Sequence, residues 1–258
     1  MTFLDEVLAA KEREIAILRA APPSPTLAPR PRPGFREALR VPGLSVIAEI
    51  KRRSPSKGLL APDLDARKTA HAYASGGASA ISCLTDRSFF GANPDDLCLA
   101  RTATLPVLRK DFIIDEIQID ESALMGASAV LLIVRILTPA RLEALLEHAT
   151  ARGLDALVEV HDEAEIESAL RAGASIIGVN NRDLATLRVD PGRALALRAR
   201  IPDGVVSVAE SGVKMRDDVR KVQDAGFNAV LIGEALARSP DPVARLLELR
   251  GVSKEGPR

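Results

Sequence analysis

The chain has 258 residues, 47% hydrophobic and 27% charged, the proportions of an ordinary globular protein at a length near the roughly 250 residues of one α/β barrel. Lys+Arg and Asp+Glu both number 35, Trp is absent and aromatics make up 3%, which excludes a basic field for nucleic acid and a stacking platform for bases. The longest apolar run, Ala129 to Val134, is too short to cross a bilayer, so neither a nucleic-acid nor a membrane partner is expected.

Residues 3–19 read as an amphipathic helix, with Leu4, Val7, Leu8, Ile15 and Leu18 near one face and Thr2 as its cap. This start is charged throughout and has no signal-peptide core, so a cytoplasmic location is expected. Six prolines between Pro22 and Pro33 rule out helix and predict an extended connector. The expected organisation is a single barrel domain over 1–258, with 1–43 forming a helix and Pro-rich connector packed on it.

From Leu44 short β-branched runs alternate with helical stretches. The predicted strands are 45–50, 80–84, 106–110, 129–134, 156–160, 175–180, 205–209 and 229–233. A helix repeatedly ends on Gly with a strand directly after it, as at Gly77, Gly126, Gly153, Gly173 and Gly226, the signature of a left-handed C-terminal cap. Eight regular βα units without a G-x-G-x-x-G turn or a Walker sequence favour a (β/α)8 barrel over an open doubly wound sheet. Cys83 and Cys98 form no C-x-x-C pair and read as two reduced, buried thiols.

In such barrels the chemistry lies at the C-terminal ends of the strands, and residues two apart share a strand face. Parity puts Ile47, Glu49 and Lys51 on one face of the first strand and Val46, Ala48 and Ile50 on the other. The same test groups Leu108, Lys110 and Phe112; Leu157 and Glu159; Ile176, Gly178, Asn180 and Arg182; and Ser207, Ala209 and Ser211. Any one charge at a strand end is unremarkable, because strands end at solvent. Charges of one parity at several strand ends point to a shared mouth.

Two loops carry a phosphate signal: AESGV (209–213) after the seventh strand and IGEAL (232–236) after the eighth. Backbone N–H groups of these loops, with Gly212 and Gly233 permitting close approach, suit a phosphate. KRRSPSKGL after the first strand adds Arg52, Arg53 and Lys57 and suits an anionic substrate. The three histidines, His71, His148 and His161, have no metal-ligand spacing, so no metal is expected. The residues alone leave open an acid–base enzyme, a Schiff-base aldolase with Lys110 as nucleophile, and a non-catalytic phosphate-ligand barrel.

The segments IAEIKRRSPSKG, CLTDRSFFGA, LRKDFIIDEIQIDES, GASAVLLIV, LVEVHD, IGVNNRDL, VAESGV and LIGEAL together resemble the indole-3-glycerol phosphate synthase family, from about Val46 to Pro242. The resemblance implies a lyase of tryptophan biosynthesis that closes an indole ring on 1-(2-carboxyphenylamino)-1-deoxyribulose 5-phosphate, losing CO2 and water, with no cofactor. It implies a catalytic set of Glu49, Lys51, Lys110, Glu159, Asn180 and Ser211. Lys110 would be the general acid for ring closure and Glu159 with Lys51 the acid–base pair for dehydration. Glu49 and Asn180 would hold lysines and substrate hydroxyls, and Ser211 would support them. Substrate binding falls to Arg182 for the carboxylate, to Gly212, Gly233 and Glu234 with Arg53 for the phosphate, and to Ser54 and Phe112. The expected partner is a phosphorylated small molecule, and the expected state a monomer. Independent chemistry suggests a lysine pKa lowered by neighbouring cations and a carboxylate pKa raised by burial or acidic neighbours.

Overall fold

The computed structural model describes residues 2–21 and 33–252; most of the Pro-rich connector lies outside them. Eight parallel strands close into a barrel: β1 (Ser45–Ile50), β2 (Ala80–Leu84), β3 (Val107–Lys110), β4 (Ala129–Ile133), β5 (Asp155–Val160), β6 (Ile176–Asn180), β7 (Val206–Glu210) and β8 (Ala229–Ile232). Each pairs with its sequence neighbours, and β1 pairs with β8 to close the ring. Helices run between the strands, giving the (β/α)8 architecture expected from the rhythm of the sequence. The predicted strands are recovered with ends moved by one residue or less. The glycines at the helix ends take the left-handed conformation, with φ of 81°, 82°, 83° and 83° at Gly77, Gly126, Gly173 and Gly226.

The barrel has two apolar layers. Ile47, Leu108, Leu131, Leu157, Ile176, Val208 and Leu231 fill its interior, while Val46, Ala48, Ile50, Val158, Val160 and Ile232 face the helices. Strand alternation separates the two sets. Parity therefore holds at β1, β3, β5 and β6 and fails at β7. There the inward residues are Val206, Val208 and Glu210, while Ala209 belongs to the outer layer. Ser207, expected inside, shares a hydrogen bond with Asn228 Oδ1 at 3.0 Å. Small apolar and hydroxyl residues occupy both parities of VVSVA, so alternation there carries no signal.

The leading helix spans Phe3–Ala20 and opens with a capping box: Thr2 Oγ1 accepts from Asp5 N–H and Asp5 Oδ2 from Thr2 N–H. Its buried face holds Val7, Lys11 and Ile15. It lies on the C-terminal rim, where Phe3 packs edge-on against Phe89 and Phe112, ring centroids 5.4 and 6.4 Å apart. Lys11 is fully buried with its Nζ 2.7 Å from Asp86 and 2.8 Å from Asp111. A short helix, Phe35–Leu39, closes the opposite end. Phe35 and Leu39 join the inner layer beside Ala80, Ala129 and Ala229, and the Phe35 and Arg36 N–H groups donate to Asp155 at 3.1 and 2.9 Å.

One further expectation is corrected. Cys83 is buried, but Cys98 is exposed, because it falls on the outer side of helix Asp96–Ala100, whose buried residues are Asp96, Leu97 and Ala100. No helix among the described residues is long and apolar enough to cross a membrane.

Candidate active site

The C-terminal ends of the strands surround a cavity of about 660 Å³. Register brings its polar groups together. Glu159 pairs across the sheet with Gly178, and Asn180 with Glu210. Inward parity then aims Glu49, Lys110, Glu159, Asn180 and Glu210 at one floor, with Lys51 just past the end of β1. All six line the cavity.

Lys110 Nζ lies 3.1 Å from Glu159 Oε2 and 3.7 Å from Glu210 Oε2. Asn180 Nδ2 donates to Glu159 Oε1 at 3.0 Å, and Asn180 Oδ1 accepts the Arg182 N–H at 2.9 Å. Lys51 Nζ meets Glu49 Oε1 at 2.5 Å. Glycines make this crowding possible. A Cβ at Gly178 would overlap Glu210 Oε1, and one at Gly233 would overlap Glu49 Oε1 and come 2.9 Å from Lys51 Nζ.

These contacts set the protonation states. Burial works against the Lys110 ammonium, but the carboxylates of Glu159, Glu210 and Glu49 outweigh it and hold the pKa above the ordinary lysine range. The expected lowering by neighbouring cations is therefore overturned: the neighbours are anions. Burial also opposes the Glu159 carboxylate, yet Lys110, His161 and the Asn180 hydrogen bond hold its pKa below the usual value. The raised carboxyl is Glu210, pushed up to about 8 by burial and then by Glu159 and Glu49, against Lys110. Geometry agrees. Lys110 sits closer to Glu159 than to Glu210, and Glu210 Oε1 has no hydrogen-bond partner among the described residues. The raised pKa favours the neutral form of Glu210, a residue that parity reasoning missed by placing Ala209 and Ser211 inside.

The remaining candidates divide. Arg182, Phe112, Ser211, Gly212, Gly233 and Glu234 line the cavity. Ser211 follows β7 in a left-handed conformation, φ 65°, and its carbonyl accepts from Asn181 Nδ2 at 2.9 Å. Arg182 Nη1 donates to Ser56 Oγ at 3.1 Å and to the Leu187 carbonyl at 2.9 Å, tying the loop after β1 to the loop after β6. Arg53 and Ser54 are not brought in. They form a two-residue strand paired with Gly58–Leu59, and Arg53 is exposed. From that loop Ser56 and Lys57 line the cavity instead. Arg52 turns outward to Asp96 and the Leu64 carbonyl. Phe90 and Phe112, centroids 6.3 Å apart, form an apolar wall with Leu131 and Ile133.

A barrel mouth with a protonated lysine held between acidic side chains, one of them with a raised pKa, and with glycine loops after β7 and β8 defines an acid–base (β/α)8 enzyme. Over residues 4–249 the chain matches the model of the family described as indole-3-glycerol phosphate synthase. It is 50% identical over 241 residues to "Indole-3-glycerol phosphate synthase 2" of Streptomyces coelicolor, covering 93% of this chain and 91% of that protein. It is 47% identical over 251 residues to the indole-3-glycerol phosphate synthase of Chlorobium luteolum, covering 93% and 95%. The chain belongs to the indole-3-glycerol phosphate synthase family, and with it to the lyases of tryptophan biosynthesis. Among solved structures, the N-acetylmannosamine-6-phosphate 2-epimerase of Clostridium perfringens superposes with a TM-score of 0.61 at 14% identity, covering 86% of this chain and 99% of that one. The thiamine phosphate pyrophosphorylase of Pyrococcus furiosus does so at 0.60 and 18%, covering 84% and 96%. At such identities the likeness speaks to fold alone.

Proposed function

We propose that the floor of the mouth carries out the three steps that turn 1-(2-carboxyphenylamino)-1-deoxyribulose 5-phosphate into indole-3-glycerol phosphate. Lys110 protonates the ketose oxygen as the aromatic carbon attacks. Its acidic neighbours, Glu159 foremost, keep it charged between turnovers, ready to act as the acid. CO2 then leaves, restoring aromaticity to the benzene ring. Dehydration follows, with Glu159 and Lys51 as the acid–base pair and Glu210 as a further proton donor. Glu49 positions Lys51 through their 2.5 Å ion pair, and Asn180 positions Glu159. The C–C bond made, the C–C bond broken to release CO2 and the C–O bond broken to release water involve no external oxidant or reductant and ask only proton transfer of the protein, so no cofactor enters.

The substrate's two anionic ends have separate partners. Arg182 and Lys57 suit the carboxylate, and the backbone N–H groups at Gly212, Gly233 and Glu234, beside Ser211, suit the phosphate. Phe112 and Phe90 offer an apolar face to the benzene ring. Binding energy gathered at the phosphate, away from the reacting carbons, can hold the chain bent for attack.

The observation that carries this reading is Lys110 Nζ at 3.1 Å from Glu159 and 3.7 Å from Glu210 on a cavity floor. It also argues against Schiff-base chemistry, which needs a free amine. The test is to incubate the purified protein with the carboxyphenylamino-deoxyribulose phosphate and follow indole fluorescence. Product is expected; folded protein that yields none overturns the reading. Borohydride should trap no substrate adduct. The enzyme is taken to act as a monomer, because one chain supplies every group named, and in the cytoplasm, which suits two unpaired cysteines. Light scattering tests the first and cell fractionation the second.

A further inference from the structure

Behind Glu159 lies a buried histidine that the steps above leave unused. His161 follows β5 directly, on the same parity as Leu157 and Glu159, and is 3% exposed. Its ring is oriented from one side by Glu165 of helix Glu163–Arg171. Glu165 Oε2 accepts the His161 backbone N–H at 2.7 Å and lies 3.1 Å from Nδ1. A carboxylate only accepts, so Nδ1 carries hydrogen. Arg135, in the turn Val134–Ile136, holds Glu165 as an anion at 2.9 Å and also contacts Asp162 and Asp183 at 3.6 and 3.3 Å.

The other ring nitrogen faces the floor. Nε2 has no hydrogen-bond partner among the described residues and lies 3.5 Å from Glu159 Oε1. Oε1 also accepts from Asn180 of β6, while Oε2 is held by Lys110 of β3, with Glu210 of β7 beyond it. With hydrogen on Nδ1, a neutral ring would point a lone pair at a carboxylate oxygen in a buried site. That contact is repulsive unless a proton lies between the two. Imidazole is the side chain whose charge changes nearest neutrality. The reaction also needs a proton: a carboxylate that leaves as neutral CO2 takes its charge out of the balance, so one proton enters per turnover.

We propose that His161 is a positioning residue for Glu159, holding on Nε2 the proton that Glu159 needs in order to act as an acid. The Nε2–H bond breaks as an Oε1–H bond forms, and that O–H bond breaks in turn as Glu159 passes the proton to the departing hydroxyl, so Glu159 ends as the carboxylate it began as. The imidazolium becomes imidazole, the hydroxyl leaves as water, and the ring regains its proton from solvent once the mouth has emptied. Glu165 and Arg135 fix the ring so that Nε2 points only at Oε1. This rests on Glu159 as a proton-transferring group.

The test uses the full-length enzyme and the pH dependence of kcat and KM from pH 5 to 9. His161→Gln keeps a donor near Oε1 but cannot titrate. It should lower kcat by about ten-fold or more, within the range for one lost proton-transfer group, leave KM little changed, and remove or displace one limb of the kcat profile. In a Glu159→Gln background, itself expected to be severely impaired, the same change should have no further effect, because the two act as a unit. An impaired Glu159→Gln enzyme on which His161→Gln still costs its full factor overturns the proposal and spares Glu159. A Glu159→Gln enzyme of full activity overturns the assignment of Glu159 itself. Should His161→Gln fail to fold, nitrogen-15 NMR of the histidine rings decides. The His161 titration should move between the wild type and Glu159→Gln, and an unmoved midpoint overturns the proposal.

Discussion

On one cavity floor, burial raises the pKa of Glu210, while Lys110, closer to Glu159, outweighs burial there and lowers that pKa. Glu210 has a folded pKa of about 8, above its unfolded value, so the folded state binds more protons there. Stability from this group is full below the unfolded carboxyl pKa and is lost as pH rises through about 8. Glu210→Gln, which mimics the neutral form, should therefore raise the melting temperature relative to wild type most at pH 9, less at pH 6 and little at pH 4, as read by calorimetry. Lys110→Ala should lower turnover by about 10²–10⁴-fold, the range for a general acid, with an unchanged circular dichroism spectrum. The lysine was legible in the sequence because strand alternation isolates it between Leu108 and Phe112. Its ionisation was not, because that depends on β5 and β7, which reach it only through closure of the barrel. Glu210 itself was hidden by VVSVA, where neither parity is distinctly apolar.

At the level of the elements, two contacts hold the mouth in shape. Gly233, at the end of β8, leaves room for Glu49 and Lys51 of the neighbouring strand. Gly233→Ala should push that ion pair off the floor and lower kcat/KM at least ten-fold with little loss of stability, a split that kinetics and denaturant titration would show together. The other contact is Lys11. Burial works against its ammonium, yet Asp111 and Asp86 hold its pKa above the ordinary range. In return Arg109 and Lys11, against burial, hold Asp111 down at about 2. Lys11→Met leaves two buried carboxylates short of a cation, a change that costs about 3–5 kcal/mol in comparable buried pairs. Denaturant unfolding should show that loss, and limited proteolysis should find the leading helix more readily cut. The helix was legible from its periodicity and cap. The burial of Lys11 was not: a lysine in an amphipathic helix normally faces water, and its partners lie on distant loops.

For the whole molecule, the sequence rhythm sufficed to predict the barrel, since eight βα units admit few other arrangements. The loop after β1 did not follow from it. Three basic residues in one loop gave no means of telling that Arg52 turns to Asp96, Arg53 to solvent and Lys57 to the cavity. The chain as a whole carries no net charge, so attraction for the proposed anionic substrate has to be local. Inorganic phosphate should compete with substrate and raise the melting temperature, by about 2.7 kcal/mol of stabilisation at a hundred times its dissociation constant. Glu234→Pro, which removes one backbone N–H of the loop proposed to hold phosphate, should weaken that competition.

Contacts that the leading segment makes at both ends of the barrel also bear on how the protein is built on the ribosome. Lys11 waits for Asp86 and Asp111, Phe35 waits for Asp155, and one edge of β1 waits for β8. Strand β1, made before the other seven strands, is thus completed by the last of them. Until Asp111 emerges the amphipathic helix lacks its partners, and until β8 emerges the nascent chain presents an open sheet edge, both of them surfaces for chaperones or for wrong partners. The seam between β1 and β8 is the step that commits the molecule to a functional mouth, since it brings Gly233 against Glu49 and Lys51.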